Sequence, residues 1–144
     1  MVRPTCFFSN PETIVDNKFM AHMSNTDEVG AKNHSTSKAQ AEFDLLVDKI
    51  RHSGVDVRVR NQQRDDLPDS VFPNNWFSTH RDTRAYPGGL FVTYPMKTPS
   101  REAEKNPTII DELKKEYEHK IDLKASGDAV LEGTGVLIFD KGDA

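Results

Sequence analysis

One cysteine, Cys6, stands in the 144 residues, so no disulfide can form within the chain, and a lone thiol suits a reducing compartment. No apolar run approaches the roughly 20 residues needed to cross a bilayer. Met1-Val2-Arg3-Pro4 is not followed by the long apolar core of a secretory signal. A soluble, cytoplasmic chain without a membrane partner is expected. Basic residues number 19 against 23 acidic ones, a net charge of -4 with no basic stripe, which argues against a nucleic-acid partner. The five histidines share no ligand spacing with one another or with Cys6, so no metal site is expected. Gly133-Thr134-Gly135 lacks the Lys-Ser/Thr ending and the following helix of a phosphate loop.

Apolar residues are scarce too, at 35%, and the mean hydropathy is -0.67. The length fits one domain with a real core. Low apolar content then implies long polar loops or a missing piece of core. Sign-alternating charges over Asp111–Lys120 read as a solvated helix face.

What is present alternates between strand and helix signals. Val2–Phe8 reads as a first strand, with Pro4 placing it at an edge or a strand start. Asn10–Gly30 is polar and irregular. A helix is predicted from Ser37 as N-cap, with Gln40 completing a capping box and Gly54 as the stop. Its apolar stripe is Ala39, Phe43, Leu46, Val47 and Ile50. Val55–Val59 alternates as a half-buried strand. After a polar motif come strand Trp76–His80, the turn Tyr86-Pro87-Gly88-Gly89 and strand Leu90–Tyr94. Ser100–Lys105 forms a separate helical turn, because Asn106 and Pro107 start a new helix as N-cap and first helical residue. Ile109, Ile110, Leu113 and Tyr117 form its buried face. Ile121–Leu123 and Val136–Phe139 read as further strands. The order helix, strand, polar motif, strand thus occurs twice, a pseudo-repeat. Asp140-Lys141-Gly142-Asp143 reads as a hairpin turn with no return strand, so the chain reads as cut short at an open edge.

The motif Pro68-Asp69-Ser70-Val71-Phe72-Pro73-Asn74-Asn75-Trp76-Phe77-Ser78-Thr79-His80 concentrates the chemistry. Its polar residue types also make surface turns. Val71, Phe72, Trp76 and Phe77 are too apolar for an ordinary one, and paired Asn residues beside a buried Trp need partners or a ligand. Binding is the better reading. Asp69 and Glu132 are the carboxylates that stand out, each in an apolar-flanked loop at a strand boundary. Glu132 precedes Gly133, and a carboxylate in such a place must be paired or ligand-bound. Asn74 and Asn75 can read a neutral amide or urea-like group through both donors and acceptors. His80 and Cys6 are weaker candidates: a strand-end His is usually structural, and nothing near Cys6 predicts a lowered pKa.

Arg3-Pro4, Phe7 and Asn10, then Glu42-Phe43-Asp44, Gly54-Val55, Pro68–His80, Tyr94-Pro95-Met96, Arg101, Glu104 and Leu131–Gly135 occur in this order along the whole chain. In this it resembles the arginine deiminase-related, guanidino-group-modifying amidinotransferase superfamily, and within it the citrulline-utilisation hydrolases. The resemblance implies an α/β pentein propeller, with residues 1-144 supplying about two of five pseudo-symmetric modules, in keeping with the pseudo-repeat. It implies a hydrolase acting on the ureido or guanidino C–N bond of a small citrulline- or arginine-like amino acid. A cysteine nucleophile and a histidine acid/base would serve it, with no cofactor. Asp69, Asn74 and Asn75 would then bind substrate, and Glu132 would orient the catalytic His. The chain departs from the pattern in ending before the family's catalytic His and Cys, so inactivity on its own is expected. Glu102 also stands where a second Arg is expected, and Val136 where Ser is. The alternative reading is a truncated, non-catalytic paralogue that self-associates or docks a partner through its open strand.

Overall fold

Strand β1 is only Val2–Arg3, and it pairs in parallel with β2, Arg60–Asn61, with Val2 opposite Arg60. The predicted strand Val2–Phe8 stops early because Pro4 has no amide hydrogen to continue the ladder. The amides of Thr5 and Cys6 turn instead to the side-chain oxygen of Gln62, at 2.9 and 3.1 Å. Val55–Val59 is not a ladder strand; pairing begins only at Arg60, whose amide donates to the Met1 carbonyl. The computed structural model describes residues 1–10, 28–126 and 130–131.

Helix α1, Glu28–His52, begins well before the predicted cap at Ser37. Nothing in Glu28–Thr36 breaks a helix except Gly30, at a cost of about 1 kcal/mol, and the capping-box partner is used elsewhere. Gln40 Nε2 donates to the Pro4 carbonyl at 2.9 Å, and Thr36 Oγ1 accepts from the Phe7 amide. The stop is as read: Gly54 has φ 86°, the left-handed conformation that suits glycine. Of the predicted stripe, Val47 is buried and Ala39, Phe43 and Ile50 half-buried. Leu46 is 48% exposed, beside Leu45 at 57%. Leu46 lies one residue, about 100° of helix rotation, from Val47 and so falls off the buried face. These elements belong to a first compact unit, Met1–Phe72; the second begins at Pro73.

In the second unit, β3 (Phe77–His80) and β4 (Leu90–Thr93) form the expected hairpin, with Phe77 opposite Thr93 and His80 opposite Leu90. Gly88 and Gly89 turn it at φ 76° and 79°. A Cβ on Gly89 would stand 2.9 Å from the His80 carbonyl oxygen, so the close approach also requires glycine. Two helices cross over to β5 (His119–Asp122), which lies parallel to β4 and completes a three-stranded sheet in the order β3-β4-β5. The strand predicted at Ile121–Leu123 therefore starts two residues earlier and ends one earlier. Helix α2 is Pro99–Ala103 and α3 is Pro107–Leu113. Asn106 Oδ1 caps α3 by accepting from the amides of Thr108 and Ile109, with Pro107 at the first helical position, as predicted. Ile109, Ile110, Leu113 and Tyr117 are all half-buried. One sheet face packs Leu90, Val92 and Tyr94 with Leu123 and Leu131. The architecture is a mixed α/β one of small sheets and few helices. The predicted strand Val136–Phe139 and the turn after it lie outside the described residues.

Glu102 ties α2 to the residues on either side of it and to the turn after β5. Its carboxylate meets Lys105 at 3.0 Å and Lys124 at 2.9 Å, and accepts from the Met96 amide at 3.1 Å. Burial alone would raise its pKa, but the hydrogen bonds from Lys124, Lys105 and Met96 outweigh this and hold it below the ordinary glutamate value. A carboxyl with a depressed folded-state pKa stabilises above its unfolded pKa and loses that contribution as pH falls through the folded value. Acid titration of stability from the ordinary glutamate pKa, about 4.3, downward should therefore be shallower in Glu102→Gln than in the parent. Equal slopes in urea unfolding across that window would exclude the contribution.

Candidate functional site

Asp69 sits in a single 3-10 turn, Pro68–Val71, started by Pro68 with its fixed φ. The side chain is 5% exposed and receives a hydrogen bond from Asn10 Nδ2 at 2.7 Å, with Asn10 itself 1% exposed. A carboxylate this deep requires such a donor. Gln62 fixes the approach to this turn. Its Nε2 donates to the carbonyls of Arg64 and Leu67, while its Oε1 accepts from the amides of Thr5 and Cys6. All four hydrogen-bonding positions of the amide are thus used. Thr5 Oγ1 adds a bond to Asp65 at 3.0 Å. The Cys6 thiol, half-buried, is unpaired with other cysteines.

Arg3 and Asp44 form a two-bond fork at 2.8 Å each, which braces β1 against α1. The Arg3 hydrogen bond lowers the Asp44 pKa and raises that of Arg3. The pair is solvent-facing, so its value is in register more than in stability.

Asn74 and Asn75 occupy a second 3-10 turn, Pro73–Asn75, in the unit that begins there. Asn74 is exposed and Asn75 half-buried. Asn74 Nδ2 reaches Asn75 Oδ1 only at 3.4 Å, a weak bond, and Asn74 Oδ1 has no partner among the described residues. The next residue, Trp76, is 1% exposed and packs on Phe77 with ring centroids 4.7 Å apart. Trp76 thus belongs to the core, as expected for one of the two aromatics. Its indole N–H has no hydrogen-bond partner among the described residues.

Ser78 Oγ lies 2.8 Å from His80 Nε2 and 2.5 Å from Tyr94 OH, joining β3 to the residue after β4. One hydroxyl hydrogen can serve only one neighbour, so at least one of these partners must donate to the serine. His80 is therefore tied to its own strand, and the buried Tyr94 hydroxyl has its required partner. Arg101 and the fully enclosed Glu104 carboxylate form an ion contact at 3.3 Å within α2 and its end. Glu132 lies outside the described residues. Its neighbour Leu131 donates its amide to the Pro95 carbonyl at 2.8 Å.

The sequence singled out Asp69 and the Asn pair but not Gln62, Ser78 or Tyr94 as supports. Gln62 stands beside a second glutamine, Gln63, which is exposed, and no local pattern separates the two. Among the described residues no group of three or more His, Cys, Asp or Glu residues could hold a metal ion, and no helix is long and apolar enough to cross a membrane.

A family model described as N,N dimethylarginine dimethylhydrolase, eukaryotic, matches residues 3–143. No curated protein and no solved structure matches the chain. The match covers nearly every residue and agrees with the superfamily to which the motifs pointed, though its description speaks of dimethylarginine where the motifs suggested citrulline. The chain belongs to the N,N-dimethylarginine dimethylhydrolase family, in the pentein superfamily of arginine-modifying hydrolases.

Proposed function

We propose that this chain carries the substrate-gripping side of a hydrolase acting on the ureido or guanidino carbon of a citrulline- or arginine-like amino acid. In this reading Asp69, Asn74 and Asn75 bind the planar group, and Glu132 orients a catalytic histidine. A cysteine thiolate attacks the central carbon, the histidine protonates the departing nitrogen, and water then releases the covalent adduct. Neither nucleophile nor acid/base is assigned to Cys6 or His80. The accompanying fold is a pentein propeller to which residues 1-144 contribute modules of one domain.

The neutral carboxamides of Asn74 and Asn75 carry the choice of substrate. A guanidinium ion is best held by carboxylates through charge-assisted hydrogen bonds, which these two positions cannot offer. A ureido oxygen accepts from an Asn amide, and the ureido nitrogens donate to Asn Oδ1, of which the Asn74 oxygen is exposed and unengaged among the described residues. We therefore favour citrulline over arginine and over the dimethylarginine of the family description. The test is release of ammonia or dimethylamine from citrulline, arginine and N,N-dimethylarginine by protein that contains this chain together with the family's Cys and His. Citrulline should give the highest kcat/KM. Preference for either guanidino substrate would overturn the neutral-site argument while leaving family membership intact.

A further inference from the structure

The crossover from β4 to β5 leaves a cleft of about 220 Å³ between the sheet and helices α2 and α3. It is separate from Asp69, Asn74 and Asn75, none of which lines it. Phe91, fully buried, and Ile110 supply an apolar floor, and Lys105, Lys114 and Lys120 stand around it. The positions follow from the strand period. Phe91 pairs with Lys120 and Thr93 with Asp122, so these four share the sheet face that the helices cover.

Cations outnumber carboxylates here. Glu102 answers Lys105 and Lys124 together, and Asp122 uses an oxygen on the Lys124 amide. Lys120 Nζ has only the Glu118 carbonyl at 3.3 Å, and Lys114 has no partner among the described residues. Two ammonium groups, one at the C-terminal cap of α3 and one on β5, are thus left without a carboxylate beside a half-apolar cleft. Compact oxyanions suit such a pair, since lysine acts as a flexible point charge. The volume is below the roughly 300–1,000 Å³ of clefts for drug-sized ligands. That sets the occupant as small.

We propose that this cleft binds a small organic oxyanion, a phosphate or carboxylate head on a short apolar body, with Lys114 and Lys120 on the head and Ile110 against the body. The site is independent of the hydrolase reading, and its test needs no turnover. Amide NMR spectra of the full 144-residue chain would follow titration with inorganic phosphate, with propyl phosphate and with chloride at constant ionic strength. Propyl phosphate should give saturable shifts at Lys120, Ile121 and Asp122, tighter than inorganic phosphate, with chloride giving none. Lys114→Gln with Lys120→Gln should weaken binding about tenfold or more, the two substitutions removing both head-group charges. Both lysines are exposed, so preserved β3-β4-β5 amide dispersion would verify the fold of the double variant. Linear, non-saturating shifts would overturn the site, as would equal binding to the double variant or no preference for the alkyl phosphate.

Discussion

Arg101→Met is expected to destabilise the chain by about 3–5 kcal/mol, because it removes the guanidinium from a carboxylate that has no access to water. Arg101 is 6% exposed and Glu104 3%, with Nε and Oε2 3.3 Å apart across one helical turn. Desolvating two charges is costly, and mutual attraction recovers that cost only while both are present. Removing one therefore does far more damage than removing both. The double variant Arg101→Met/Glu104→Leu should regain most of the loss, and the coupling between the two sites should reach 0.5–3 kcal/mol or more, about the range for contacting residues. Urea unfolding of the two single variants and the double variant measures this. A single-variant loss below about 1 kcal/mol would place the pair among solvated ion pairs and contradict its burial.

That ion pair also illustrates what the sequence could reveal. Arg101 and Glu104 stood out only among the residues that carry the family resemblance, not as a pair, whereas the Asn106-Pro107 start was legible as local chemistry, since a cap needs only its own next three residues. The hairpin was legible for the same reason: two adjacent glycines after Tyr86-Pro87 demand positive φ, and the flanking strands follow. The misreadings share the opposite cause. Ser37 and Gln40 have the form of a capping box, but Gln40 is spent on a carbonyl 36 residues away. Val55–Val59 alternates like a strand, yet in the parallel register β1 begins opposite Arg60, so these residues precede the ladder.

The candidate site divides in the same way. Asp69, Asn74 and Asn75 were visible as a dense polar motif flanked by aromatics. The groups that hold them were not. Asn10 reaches Asp69 across 59 residues of sequence, and Gln62 gathers four backbone groups from two segments. Glu102 shows how a departure from the expected pattern acquires a structural role. Where a second Arg was expected, a carboxylate gathers Lys105 and Lys124, and an Arg there would face two like charges instead.

Trp76→Ala should cost about 3–5 kcal/mol, whereas Trp76→Phe should cost far less, about 1 kcal/mol. The alanine variant leaves a large cavity against Phe77, and Phe77 in turn packs on Phe91 at 5.6 Å. The phenylalanine variant keeps one ring and removes a buried indole N–H that finds no acceptor among the described residues, which offsets part of the lost area. Unfolding free energies of the two variants decide the point. If Trp76→Phe proved as costly as Trp76→Ala, the indole N–H would have to be satisfied by an acceptor, and the offset would fail. The consequence reaches the motif itself. The Trp76 amide donates to the Pro73 carbonyl, and its own carbonyl accepts from the Tyr94 amide. These two bonds and the buried ring fix the backbone that leaves Asn75, so the phenylalanine variant should keep the position of the Asn pair and the alanine variant should lose it. In protein that also carries the family's Cys and His, turnover of the proposed citrulline substrate should follow the same order as stability.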